Sequence, residues 1–121
     1  MKRWMLGLLA VAWLTRAGQA EGVTQEIRFR PGSDSGTVQG AVVRGDSDTY
    51  TLGVSEGQKI WIRLTSLESN AVFDLYSPGE EPLGESEATQ MEGRLPESGT
   101  YRIVVSPSRG NAEYTLKVTV R

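Results

Sequence analysis

Asp46, Ser47 and Asp48 set two carboxylates two residues apart around a hydroxyl, as at the start of an oxygen-ligand calcium loop. The segment lacks the glycine and the bidentate glutamate of an EF-hand. Asp and Ser in such a run also close turns through side-chain to backbone hydrogen bonds, which is the expected role, without a metal. The overlapping tripeptide Arg44-Gly45-Asp46 spells an integrin-type motif, which in a turn is expected by chance. Trp61 and Arg63 form a second candidate pair, on the outward side of an alternating strand. An indole beside a guanidinium can stack a sugar or anchor a protein; alternatively a loop or a second sheet covers Trp61. Asp74, mid-strand, is expected to pair with an arginine of a neighbouring strand rather than to do chemistry. Glu80, Glu81, Glu85, Glu87, Glu92 and Glu97 crowd one stretch with Arg94 as its base, either as a solvated loop flank or as an interaction patch.

What is missing narrows the chemistry further. The chain contains no histidine and no cysteine. That removes the commonest general base, the commonest zinc ligands and every Ser-His-Asp or Cys-His arrangement. No two acids stand out as an acid/base pair, so an enzyme is not expected, and no cofactor is implied.

Met1-Lys2-Arg3 followed by an apolar run from Trp4 to Leu14 reads as the basic and hydrophobic parts of a secretion signal. The run is too short to cross a bilayer core of about 30 Å as a helix. Ala17-Gly18-Gln19-Ala20 supplies small residues for cleavage after Ala20. Residues 1–20 are therefore expected to be removed, leaving 21–121 as one domain in the periplasm or outside the cell. Of 13 basic residues, Lys2, Arg3 and Arg16 leave with the signal, so 10 remain against 15 acidic. Nucleic acid and anionic membranes are poor partners for such a body, whereas a cationic protein is favoured through faster association. Without disulfides, stability must come from sheet pairing and packing.

The elements that must position these residues are strands. Val23–Arg30 alternates with Ile27 and Phe29 inward, and Thr37–Val43 is a small-residue strand able to present either face. Tyr50–Val54 and Lys59–Leu64 alternate on either side of Ser55-Glu56-Gly57-Gln58, which predicts a hairpin with Gly57 at positive φ. Val72–Tyr76, Met91–Leu95, Tyr101–Val105 and Ala112–Val120 complete about eight strands. Within 21–121, no run of ten residues carries apolar positions at helical spacing. Short strands with turn signals roughly every 8–12 residues predict an all-β, antiparallel, jelly-roll-like sandwich. Tyr50, Tyr101 and Tyr114 each open a similar core strand, where each can bury its ring and send its hydroxyl to the rim.

These residues carry a resemblance that covers nearly all of 21–121. Ile27-Arg-Phe-Arg-Pro-Gly32, Asp48-Thr-Tyr-Thr-Leu52, Gly57-Gln-Lys59 and Leu95-Pro-Glu-Ser-Gly-Thr-Tyr101 occur in that order, with Arg109 and Tyr114 behind them. In this the chain resembles the periplasmic inhibitors of goose-type (g-type) lysozyme and, more loosely, bacterial pre-peptidase C-terminal (PPC) β-domains. The first resemblance implies a β-sandwich that inserts end loops into a muramidase cleft. One such loop precedes the Asp-Thr-Tyr strand, here Gly45, Asp46, Ser47 and Asp48, and another carries an arginine, here Arg109. A guanidinium can pair bidentately with the carboxylates of such a cleft. Gly45 and Ser47 stand where the family places tyrosines, and the loop after Arg109 lacks the family's basic insertion. The second resemblance implies a carbohydrate- or polypeptide-binding module, with Trp61, Arg63 or Tyr76 as contacts. A structural envelope protein that self-associates through an edge strand is a further class.

Overall fold

Side-chain alternation with period two builds nearly every element of the computed structural model, which describes residues 22–121. The expected signal segment 1–20 lies outside the described residues. Nine strands follow in order: β1 (Thr24–Glu26), β2 (Ser35–Val42), β3 (Asp48–Val54), β4 (Lys59–Ser66), β5 (Ala71–Tyr76), β6 (Pro82–Ala88), β7 (Gln90–Arg94), β8 (Gly99–Pro107) and β9 (Ala112–Val120). They form two sheets, ordered β1-β3-β8-β5-β6 and β2-β9-β4-β7. Leaving aside β1, the two four-stranded layers have the alternating connectivity of a jelly roll, as expected. β1 adds to the edge of β3 in parallel, and every other pairing is antiparallel.

The core lies between the layers. Tyr50, Leu52 and Val54 of β3, Tyr101, Ile103 and Val105 of β8, and Phe73 and Leu75 of β5 face Ile60, Ile62 and Leu64 of β4 and the even positions Tyr114 to Val120 of β9. Gly99 to Pro107 and Ala112 to Val120 are the longest strands, and each is paired on both sides.

The expected hairpin between Tyr50–Val54 and Lys59–Leu64 does not form. β3 pairs with β1 and β8, whereas β4 pairs with β7 and β9 in the other sheet. The connection is a corner that carries the chain across the core. Its backbone groups bond to the β7–β8 connection instead of to a two-strand ladder. Gly57 N donates to Leu95 O (2.9 Å), Leu95 N to Gln58 O (2.8 Å), and Glu56 N to Ser98 Oγ (2.8 Å). Gly57 does adopt positive φ, +90°.

β6 is the strand that sequence reading misses. Its residues are mostly exposed, it pairs irregularly with β5, and Glu87 takes a φ of 54°. Asp74 serves this irregularity, accepting from Ser86 Oγ (2.9 Å) and Glu87 N (3.0 Å), and does not pair with a neighbouring-strand arginine. β6 and β7 are edge strands, and Glu85, Glu87 and Glu92 of the glutamate cluster lie on them, where charge discourages pairing with another chain.

The tyrosine hydroxyls are bonded inside the protein, and those of Tyr50 and Tyr114 are buried instead of reaching the rim as expected. Tyr101 Oη donates to Glu97 O at 2.7 Å, tying β8 to the turn before it. Tyr50 of one sheet meets Tyr114 of the other edge-on, with ring centroids 6.4 Å apart. Their hydroxyls lie 2.6 Å from each other, and Tyr114 Oη also donates to Asp48 Oδ2. Burial, reinforced at Tyr114 by the hydrogen bond to Asp48, pushes both hydroxyls above the ordinary tyrosine range. In the unfolded chain a tyrosine ionises near pH 10, whereas these two stay protonated in the fold, so the unfolded state releases its protons first. Stability is therefore full below about pH 10 and falls as pH rises beyond it. Urea midpoints at about pH 9 and about pH 11 test this, and Tyr114→Phe should make the fall shallower. An equal slope in that variant would remove the tyrosine pair as its cause.

Candidate functional site

Three connections converge at one end of the sandwich: 43–47 between β2 and β3, 67–70 between β4 and β5, and 108–111 between β8 and β9. The register explains why. Val42 pairs with Ala112, Ser66 with Tyr114, Asp48 with Val105 and Ala71 with Pro107, so all six strands begin or end at the same level.

Asn70 is the hub. Its side chain is buried and its Nδ2 donates to Arg109 O (3.1 Å) and Asn111 O (2.9 Å), while Ser108 N donates to Asn70 O at 2.8 Å. Arg44 N donates to Asn111 Oδ1 at 2.8 Å, joining the first connection to the third. Arg109 Nη2 donates to Glu68 O at 2.7 Å, joining the third to the second. These bonds run from one connection to the next, so the loops form one preformed surface.

The candidate residues separate by position. Gly45 is exposed, at φ +93° with open space around it. Asp46 is half-buried, and its N–H closes a turn onto Val43 O at 3.0 Å. Ser47 is exposed, with Oγ 2.9 Å from Ser106 Oγ. Arg109 is exposed at the rim. Asp48 does not belong with them as a partner contact, because it is only 2 % exposed. Its Oδ2 accepts from Tyr114 Oη and its Oδ1 from Val23 N at 2.9 Å. With both oxygens taken by protein donors, Asp48 is a structural clamp and not half of a chelating pair with Asp46. Trp61 and Arg63 are not brought to this end. They stand on the outer face of the β2-β9-β4-β7 sheet, with Trp61 half-buried and Arg63 exposed.

Sequence reasoning passes over Asn70, Ser106 and Asn111, which are unremarkable polar loop residues until the fold aligns them. It also passes over Leu67, which is 84 % exposed. The large hydrophobics exposed among the described residues are Val23, Val43 and Leu67. All three lie on segments at this end: Val43 and Leu67 on two of its connections, and Val23 beside Asp48. Exposed apolar groups gathered with a charged rim mark interaction surfaces.

Fold and site together define a class: a small jelly-roll protein with one preformed, partly apolar loop end. Among the described residues, no group of three or more acidic, histidine or cysteine side chains is placed to hold a metal. No protein-family model matches the chain. A curated inhibitor of g-type lysozyme from Escherichia coli K12 is 27% identical over 116 residues, spanning 87% of this chain and 82% of that protein. The crystal structure of Aeromonas hydrophila PliG, a periplasmic lysozyme inhibitor of g-type lysozyme, superposes with a TM-score of 0.74 at 28% identity, over 84% of this chain and 100% of that one. The chain thus resembles the periplasmic inhibitors of g-type lysozyme in both sequence and fold. The pre-peptidase C-terminal domain of a Bacillus anthracis collagenase shares the fold alone, at a TM-score of 0.58 and 18% identity over 83% of this chain and 96% of that one.

Proposed function

We propose that this chain is a non-catalytic, periplasmic inhibitor of g-type lysozyme that presents its loop-built end to the enzyme's cleft. The observation that carries the reading is the gathering of Val43 and Leu67 with the Arg109 guanidinium on loops that are already bonded to one another. A preformed surface loses little conformational entropy on binding. Similarity to periplasmic inhibitors and the expected signal over residues 1–20 support the location.

Arg109 supplies the cation for cleft carboxylates. Leu67 supplies apolar contact at an end where Gly45 and Ser47 carry no aromatic ring. The test is a muramidase assay of exported 21–121 against g-type lysozyme, with chicken-type and invertebrate-type enzymes alongside. Arg109→Ala and Leu67→Asp are each expected to weaken inhibition at least about tenfold, with melting temperatures unchanged. Absence of protection at micromolar protein would overturn the function. Inhibition indifferent to both substitutions would overturn the site.

A further inference from the structure

Lys59, Arg63, Arg94, Lys117 and Arg121 are half of the ten basic residues of 21–121, and all five gather on the outer face of the β2-β9-β4-β7 sheet. The register places them. Arg63 is directly opposite Lys117, Lys59 is opposite Arg94, and the Arg121 guanidinium lies 5.5 Å from the Trp61 ring centroid, with Lys59 Nζ at 5.2 Å. A body with a surplus of acids has thus concentrated positive charge around its one half-buried tryptophan.

Three of these cations are occupied within the protein. Lys59 lies 3.5 Å from Glu92, Arg121 Nε lies 2.7 Å from Asp34, and Arg94 Nη1 donates to Gly57 O at 2.9 Å. Arg63 and Lys117 make no ion pair among the described residues. Like charges directly opposite on a sheet destabilise it. Both line a groove of about 460 Å³ whose other walls include Trp61, Thr119, Gln90 and Glu92. That volume is in the range of small-ligand sites.

We propose that this groove binds a carboxylate-bearing oligosaccharide, independently of the loop-built end. Arg63 and Lys117 hold the carboxylate, converting a repulsive pair into two charge-assisted contacts. Trp61 offers an apolar wall to the C–H face of a sugar ring. Gln90 and the Glu92 carboxylate meet hydroxyl groups. Glu92, directly opposite Trp61, pairs with Lys59, which leaves Arg63 and Lys117 as the cations that meet the ligand.

Trp4 and Trp13 belong to the expected signal, so Trp61 is the lone tryptophan of 21–121 and its fluorescence reports the groove directly. The exported chain is titrated with trigalacturonate, maltotriose and inorganic pyrophosphate. Trigalacturonate is expected to give a saturable change, at least about tenfold tighter than either control and weakened by about 0.5 M salt. Arg63→Gln with Lys117→Gln is expected to lose at least about tenfold in affinity, keep or raise the melting temperature, and leave lysozyme inhibition unchanged. The proposal is overturned by no saturable response to trigalacturonate at millimolar concentration, by pyrophosphate binding as tightly, or by full affinity in the folded double variant. Since inhibition is read separately on the same samples, failure here is distinguishable from failure of the proposed function.

Discussion

Asp48→Ala is expected to cost about 3 kcal/mol and to lower the melting temperature by roughly 12–20 °C. The size follows from what the carboxylate holds. Tyr114 comes from one sheet, Tyr50 and Asp48 from the other, and Val23 from the segment entering β1. Alanine leaves the Val23 N–H and the buried Tyr114 hydroxyl without their shared acceptor, and a buried donor left unpaired costs the full desolvation of that group. The hydroxyl retains Tyr50, while the Val23 amide loses the partner that pins the start of the fold. Ser47→Ala, one residue earlier, removes only an exposed hydroxyl contact to Ser106 and should stay within about 0.5 kcal/mol of the parent. Thermal unfolding of both variants measures the contrast. A change below about 1 kcal/mol at Asp48 would return it to the contact loop as a surface residue.

Gly40→Ala is expected to destabilise by about 2–3 kcal/mol, against the usual benefit of replacing a strand glycine. A Cβ at position 40 would stand 2.6 Å from Tyr114 Oη and 2.7 Å from its Cζ. A flexible side chain could retreat, but this ring is held by Tyr50 and Asp48 and packed in the core. The small residue in β2 is therefore the space into which the cross-sheet clamp fits. Gly53 and Gly93, also in strands, have nothing within 4 Å of an added Cβ, and alanine there should be neutral or stabilising by up to about 1 kcal/mol. Urea unfolding of the three variants separates a packing role from a general glycine effect. Equal behaviour at all three positions would rule the clamp out as the cause.

Much of the fold was legible because alternation is a local property. Ala112–Val120 could be bounded to the residue, since every second position had to reach the core of an inner strand paired on both sides. Phe73 and Leu75 faced inward as expected. The failures were of partnership. β3 and β4 show the same period whether they pair as a hairpin or face each other across the core, so alternation could not tell a turn from a corner. β6 had no apolar alternation to show, because an irregular, exposed edge strand buries little. Asp48 looked like a turn residue by type and proved to be a buried clamp, and residue type does not reveal burial.

The sequence alone determined the class of structure, the inward and outward residues of most strands, the absence of histidine and cysteine chemistry, and the resemblance to the periplasmic inhibitors. Each depends on composition or on neighbours a few residues away. Tertiary structure decided which cations crowd around Trp61, that Asn70 and Asn111 join three loops into one surface, and that Leu67 stands exposed beside Arg109's partner Glu68. Those facts depend on strand order and register. These bring residues 40 or more positions apart into contact, and no local period encodes that pairing.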